Sequence, residues 1–355
     1  MLAHALLLQS DPAAGAVVQS VPARVTLIFS EPATPAGAGI KVYSPSGHQV
    51  AGTVSTKGTV LSVAITSGES GTYVVLWQVY AADTHPSRGA FEFSVGQGSE
   101  NPYAGLVGTP EAGTAPPLGL ALQALARWVH FAGFALAFGV VAYCLLIGRQ
   151  NPARGLVGAG VGLLILAEPL SFFGQLTSLS LDGDTALAVL SSGFGRILGL
   201  RLGAALLAWT LIATERSWPM LATGAAVALL DGASAHAFPH VPLAGQAVVA
   251  VHVGATGLWV GGLAGFLRSP DPRFGRYAAV TLGVTLGTGL LLALVHTSLG
   301  AALFAGGYGA VLFAKILVVG AALLAVVLRR HRVELAIATA AIALGALLAA
   351  LPPSL

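Results

Sequence analysis

Charge is scarce in this 355-residue chain: Asp, Glu, Lys and Arg make up 9% of it, against 55% hydrophobic residues and a mean hydropathy of +0.81. Soluble globules of ordinary composition are not this poor in charge, so most of the chain is read as lying in lipid. Sulfur is scarcer still. The one cysteine, Cys144, sits inside an apolar run and excludes a disulfide within the chain. Methionine is limited to Met1 and Met220, which leaves a relay of soft thioether ligands poorly supplied. No nucleotide-binding motif is present, so any driving force must come from gradients, reduction or a sink on the far side. The pI of 9.2 is read as a topology signal rather than a nucleic-acid footprint.

The apolar excess is uneven. Residues 4–97 alternate polar and apolar, whereas runs long enough to span a bilayer begin near Leu118. Val25–Phe29, Ile40–Tyr43, Val60–Ile65, Thr72–Tyr80 and Ala90–Val95 read as strands separated by Gly, Pro and Ser clusters, a pattern that predicts an antiparallel sandwich. Residues 98–117 are rich in Gly, Pro, Ser and Glu without periodicity and read as a flexible linker, with a coil reach of about 25 Å. Residues 118–355 form the membrane region.

His4 follows a small residue, Ala3, that looks like the end of a signal peptide, although Met1-Leu2-Ala3 is too short to be one. If export machinery cleaves there, the His4 amine and imidazole chelate one metal ion. Asp83 and His85, in the turn between the last two long strands, add an oxygen and a second imidazole. Such a tetragonal N,O set suits Cu(II). The plainer alternative, an unprocessed chain, removes the chelating amine, and a lone loop histidine beside proline is usually just solvated. His48, in Pro45-Ser-Gly-His48, reads as a turn residue.

Asp11-Pro12-Ala13, Leu27-Ile-Phe-Ser-Glu31-Pro32, Gly71-Thr-Tyr-Val-Val-Leu-Trp77 and Ala82-Asp83-Thr84-His85-Pro86, with His4-Ala5 ahead of them, resemble the CopC family of periplasmic copper-binding proteins. The resemblance implies an Ig-like, CopC-type sandwich with Cu(II) ligands at His4, Asp83 and His85. Some members also hold Cu(I) in a methionine-rich loop; this chain departs from them, having no methionine in residues 4–97.

Eight apolar spans follow, at roughly 118–147, 155–180, 190–214, 218–236, 243–267, 274–298, 307–328 and 333–351. Arg149, Arg154, Arg216, Arg268, Arg273, Arg276, Arg329, Arg330 and Arg332 lie in the connections after odd-numbered spans, whereas the connections beginning at Leu181, Ala237 and Ser298 have none. The positive-inside rule then makes the arginine loops cytoplasmic and places both the sandwich and the Leu355 end outside. Gly195/Gly199/Gly203, Gly257/Gly261/Gly265 and Gly283/Gly287 put small residues on single helix faces, where helices pack closely.

A charge at the bilayer centre costs about 2.5–3.5 kcal/mol on insertion scales, so the ionisable residues inside spans are informative. His130, Glu168, Asp231, His236, His252 and His296 lie there, the histidines all in the outer half, and His240 stands at the mouth. These five histidines are candidate transport ligands; Glu168 and Asp231 are candidate pathway charges, as are Arg127 and Lys315 with a pathway or structural role. Arg127-Trp-Val-His130-Phe131, Ser234-Ala-His236-Ala237, His252 through Leu263, Gly307-Tyr-Gly309 with Lys315, and Glu334 resemble the CopD family of inner-membrane copper proteins. That resemblance implies copper uptake across a bacterial inner membrane, with copper and lipids as partners and a cytosolic copper acceptor beyond them. The chain is therefore expected to be a β-sandwich followed by an all-α eight-helix transmembrane bundle, acting as a copper importer rather than an enzyme. Two other classes stay open: a haem-binding membrane oxidoreductase using paired histidines, and a histidine-brace oxidative enzyme, against which Asp83 argues by filling a position that oxygen needs.

Overall fold

The computed structural model describes residues 5, 7–80, 86–107, 117–148, 154–179, 181, 183–214, 216–235, 238, 241–296 and 306–351. They fall into two compact units, residues 1–117 with Leu176–Phe194, and Leu118–Gln175 with Gly195–Leu355.

The first unit is a sandwich of two four-stranded sheets. Its strands are β1 (Leu7–Asp11), β2 (Val17–Val18), β3 (Arg24–Phe29), β4 (Thr34–Tyr43), β5 (Ala51–Lys57), β6 (Val60–Ile65), β7 (Gly71–Tyr80) and β8 (Pro86–Val95). The sheet orders are β1-β3-β6-β5 and β2-β8-β7-β4, and all pairings are antiparallel except the short β2 with β8. Period-two alternation builds the core. Val25, Leu27 and Phe29 of β3, Leu61 and Val63 of β6, and Phe91, Phe93 and Val95 of β8 all point inward. The Trp77 indole meets the Phe29 ring edge-on at 5.2 Å between centroids.

All the strands expected from sequence are present. β1, β2 and β5 were not expected, for a physical reason: β5 lies at a sheet edge and is mostly exposed, so its sequence Ala-Gly-Thr-Val-Ser-Thr-Lys carries little apolar signal. The linker reading needs a correction over its first part. Asn101 is buried and its amide donates to the carbonyls of Ser44 and Thr72, both at 2.9 Å, while Tyr103 stacks on Tyr43 at 3.9 Å. Ser99 bonds Thr72 through backbone and side chain. Residues 99–106 therefore dock on the sandwich, because polar side chains there satisfy backbone groups at strand ends; 108–116 lie outside the described residues.

The connection Leu176–Phe194 belongs to this unit. It contains α4 (Gly183–Ser191), which packs on β4, and its Leu179 carbonyl accepts from the Gln78 amide at 3.3 Å.

The second unit is all α. Its helices are α1 (Pro117–Phe134), α2 (Val140–Tyr143), α3 (Arg154–Ser178), α5 (Gly193–Ala213), α6 (Ser217–Ala233), α7 (Pro242–Arg268), α8 (Phe274–His296), α9 (Gly306–Val327) and α10 (His331–Leu348). Wide π turns at Ala135–Gly139 and Cys144–Gly148 join α1 and α2 into one span, Pro117–Ile147. Among the described residues, seven helices are long and apolar enough to cross a membrane. The eighth expected span is α6, whose 17 residues reach about 25 Å at 1.5 Å per residue, at the short limit for a bilayer core.

Glycine spacing proves selective. A Cβ at Gly261 would strike the Ala135 carbonyl, one at Gly257 would strike the Phe134 ring, and one at Gly265 would lie 2.6 Å from Tyr143. The α7 stripe thus lets two backbones touch, as small residues do in lipid. By contrast, a Cβ at Gly199, Gly203, Gly283 or Gly287 would meet nothing within 4 Å among the described residues, so these four glycines are not packing seams within the unit.

Candidate functional site

Of the residues singled out from sequence, His4, Asp83, His85, His236 and His240 lie outside the described residues, and so does the side chain of His296, the last residue of α8. Their described neighbours are informative. Ala5 is fully buried in the sandwich core, and Leu7 pairs with Phe29 at the end of β3. Phe29 packs on Trp77, three positions before Tyr80 ends β7, and Tyr80 pairs with Pro86 at the start of β8. The residues flanking His4 and those flanking Asp83 and His85 therefore reach the same end of the sandwich, from different sheets.

At a separate place in the sandwich, Glu69 accepts from the Ser46 hydroxyl at 2.9 Å and the Ser46 backbone N–H at 3.0 Å. The Ser46 and Ser44 hydroxyls, with the Ser46 amide and the nearby His48, hold its carboxyl below the usual carboxylate range. This clamp closes the turn that carries His48, consistent with its reading as a turn residue.

In the helical unit, His130 is 5% exposed, Glu168 2% and Asp231 4%. The imidazole lies between the two carboxylates: Nδ1 is 3.1 Å from Glu168 Oε1 on α3, and Nε2 is 3.2 Å from Asp231 Oδ2 on α6. Arg201 of α5 stands 2.6 Å from Asp231 Oδ1 through Nη2, an ion pair whose N–H does not point along the contact. The same Nη2 donates to Ser234 Oγ at 3.0 Å, and that hydroxyl donates to the Asp231 backbone carbonyl at 2.8 Å. Arg127, one turn before His130, donates to Gln123 Oε1 at 3.4 Å, and Gln123 donates to Gln175 at 3.3 Å.

This geometry gives His130 other partners than a metal: each of its two nitrogens faces a carboxylate. Among the described residues, no group of three or more His, Cys, Asp and Glu side chains is arranged to hold a metal ion.

His252 is held differently. Its Nδ1 lies 2.9 Å from Thr288 Oγ1, and the Thr288 hydroxyl gives its own proton to the Val284 carbonyl at 2.7 Å. Thr288 is thus the acceptor and Nδ1–H the donor, which fixes the tautomer with the lone pair on Nε2. The Thr285 carbonyl and the Lys315 ammonium also act on this ring. His130 and His252 therefore have separate partners, and the structure does not bring these two together.

Lys315 reaches toward α10, where a Cβ at Gly345 would lie 3.1 Å from its Nζ. Glu334, 2% exposed, accepts from the Trp259 indole at 3.1 Å and faces His331 Nδ1 at 3.1 Å. Sequence reasoning missed Arg201, although an arginine inside an apolar run is the kind of residue that membrane energetics flags. It also missed Thr288, because a threonine in a helix gives no sign that it orients a histidine on another helix.

A sandwich of two four-stranded sheets in one chain with seven membrane-length helices defines a multi-pass membrane protein bearing a β-sandwich domain. The CopC domain model matches residues 7–96. Protein YobA of Escherichia coli (strain K12) is 33% identical over 99 residues, covering 26% of this chain and 79% of that protein, and YobA of Shigella flexneri matches to the same extent. Among solved structures, CopC from Methylosinus trichosporium OB3b is 28% identical and covers 28% of this chain and 100% of its own, with a TM-score of 0.25. PcoC, a methionine-rich copper resistance protein from Escherichia coli, is 31% identical and covers 26% of this chain and 99% of its own, with a TM-score of 0.24. Through its N-terminal domain the chain belongs to the CopC family.

Proposed function

We propose that this protein captures Cu(II) outside a bacterial cytoplasmic membrane through His4, Asp83 and His85, and passes copper to a CopD-like membrane region for import. The observation that carries the reading is the meeting, at one end of the sandwich, of the residues that flank His4 with those that flank Asp83 and His85. Membership of the CopC family supports copper as the cargo, and the relative PcoC is itself a copper resistance protein. An amine, two imidazoles and a carboxylate supply hard and borderline donors in the number that Cu(II) prefers.

Within the membrane region, His252 is a partly buried histidine oriented by another helix, with Thr288 as its positioning partner. His236, His240 and His296 complete the proposed route. The sandwich and the carboxyl end face outward, and the arginine-bearing connections face a cytosolic copper acceptor. Haem ligation by His130 is disfavoured, since an axial ligand needs a nitrogen that His130 has already committed.

Copper accumulation in cells expressing the full chain tests the import half. Accumulation above an empty-vector control, reduced several-fold by His252→Ala while Cu(II) binding is retained, is expected. Accumulation no higher than the control sinks import and leaves capture standing.

A further inference from the structure

We propose that His130, Glu168 and Asp231 form an intramembrane proton-binding site that exchanges one proton as the protein works. The three side chains are paired with one another in the structure, and the inference goes beyond copper capture and import.

Two nitrogen-to-oxygen contacts of 3.1 and 3.2 Å, both almost fully buried, are stable only if each holds a proton, because a nitrogen lone pair facing a carboxylate lone pair repels. Two protons shared across two carboxylates and one imidazole give the trio a net charge of −1. Arg201, bound to Asp231, and Arg127, on the same helix as His130 and electrostatically coupled to Arg201, add +2. The five groups then carry a net charge of +1, and loss of one proton brings them to zero. A single proton moves the cluster between two charge states that a low-dielectric interior can tolerate. Among the described residues, Gln123, Gln175 and Ser234 are the polar groups bonded to this cluster; the His252 ring of α7 is turned to Thr288 instead.

The two carboxylates are not equivalent. Asp231 is pinned by Arg201 on one oxygen and His130 on the other. Glu168 meets His130 through Oε1 and, among the described residues, is paired with no arginine or lysine. When the proton leaves, the contact that opens is therefore His130–Glu168. Both of its sides stand on weakened helix. Pro169 follows Glu168 inside α3 and cannot donate to the carbonyl four residues back, and α1 gives way to a π turn at Ala135 just past His130. Proton occupancy is thereby converted into separation of α1 from α3. Chains of Asp, Glu and His inside membranes serve as proton relays, and this cluster has their chemistry.

The test uses the full chain in lipid bilayers with 15N-labelled histidine, the His130 resonances being identified by their loss in His130→Gln. Between roughly pH 5 and 9, His130 is expected to pass between a form with both nitrogens protonated and a form with one. The midpoint is expected to move by about one pH unit or more in Glu168→Gln, which keeps an acceptor but removes the charge. An unchanged protonation state across the range in wild type, or a midpoint unmoved by Glu168→Gln, overturns the proposal. A second arm measures copper uptake by proteoliposomes with and without a pH gradient. The gradient should accelerate uptake by wild type and lose that effect in Glu168→Gln; uptake by wild type that ignores the gradient contradicts proton coupling. No uptake under either condition defeats the import reading instead, and the histidine titration still decides the proton site.

Discussion

Asn101 shows what one side chain does here: its amide donates to two backbone carbonyls, of Ser44 and Thr72, and so ties two strand ends together. Asn101→Ala removes both bonds and should destabilise the docked segment by about 1–3 kcal/mol. Limited proteolysis checks this, with cleavage between residues 99 and 107 expected in the variant and resisted by wild type. Glu69 makes a prediction about pH. Its folded carboxyl is held below the usual range by Ser46 and Ser44, so its contribution is present above the unfolded pKa and is lost as pH falls through the folded one. Hydrogen exchange across the turn at residues 44–49 should therefore be faster in Glu69→Gln than in wild type at neutral pH, with the difference vanishing in acid. A difference independent of pH would contradict that role. The residue scale is also where sequence reading was weakest. His130 looked like a ligand because depth in the membrane can be counted along a chain, whereas occupation of both its nitrogens depends on α3 and α6 and leaves no local pattern.

At the scale of elements, periodicity was a good guide wherever one face is buried. β3, β6 and β8 alternate because a core stands on one side of them, and β7, buried along nearly its whole length, is legible from its β-branched and aromatic residues. The edge strand β5 and the two-residue β2 were not, since exposure removes the alternation that marks a strand. Helices were legible from apolar length alone, but their seams were not: three glycine stripes looked alike, yet Gly261 of α7 meets another backbone whereas Gly199, Gly203, Gly283 and Gly287 face open space. Gly261→Ala should accordingly disrupt packing of α7 on the Pro117–Ile147 span, at a cost of about 1–3 kcal/mol or more. Gly283→Ala, with nothing within 4 Å, should be tolerated. Detergent-solubilised thermal stability separates the two, and equal effects would contradict the seam.

For the whole molecule, the sequence carried the division into a sandwich and a helical membrane region through composition, because lipid and water demand different residues. The proposed copper site is legible only as a set of donor types, since His4, Asp83 and His85 come from distant points of the chain. Reporter fusions at Arg330 and at the carboxyl end should report opposite compartments, the first cytoplasmic. The most direct test of the central claim is Cu(II) binding by the exported full chain, with its amino terminus sequenced, followed by electron paramagnetic resonance. One tightly bound Cu(II) with nitrogen hyperfine structure is predicted, weakened as pH falls and the imidazoles and amine take up protons, and weakened at least tenfold by His85→Ala. Binding that is unchanged by His85→Ala, or by one residue added ahead of His4, would contradict the account.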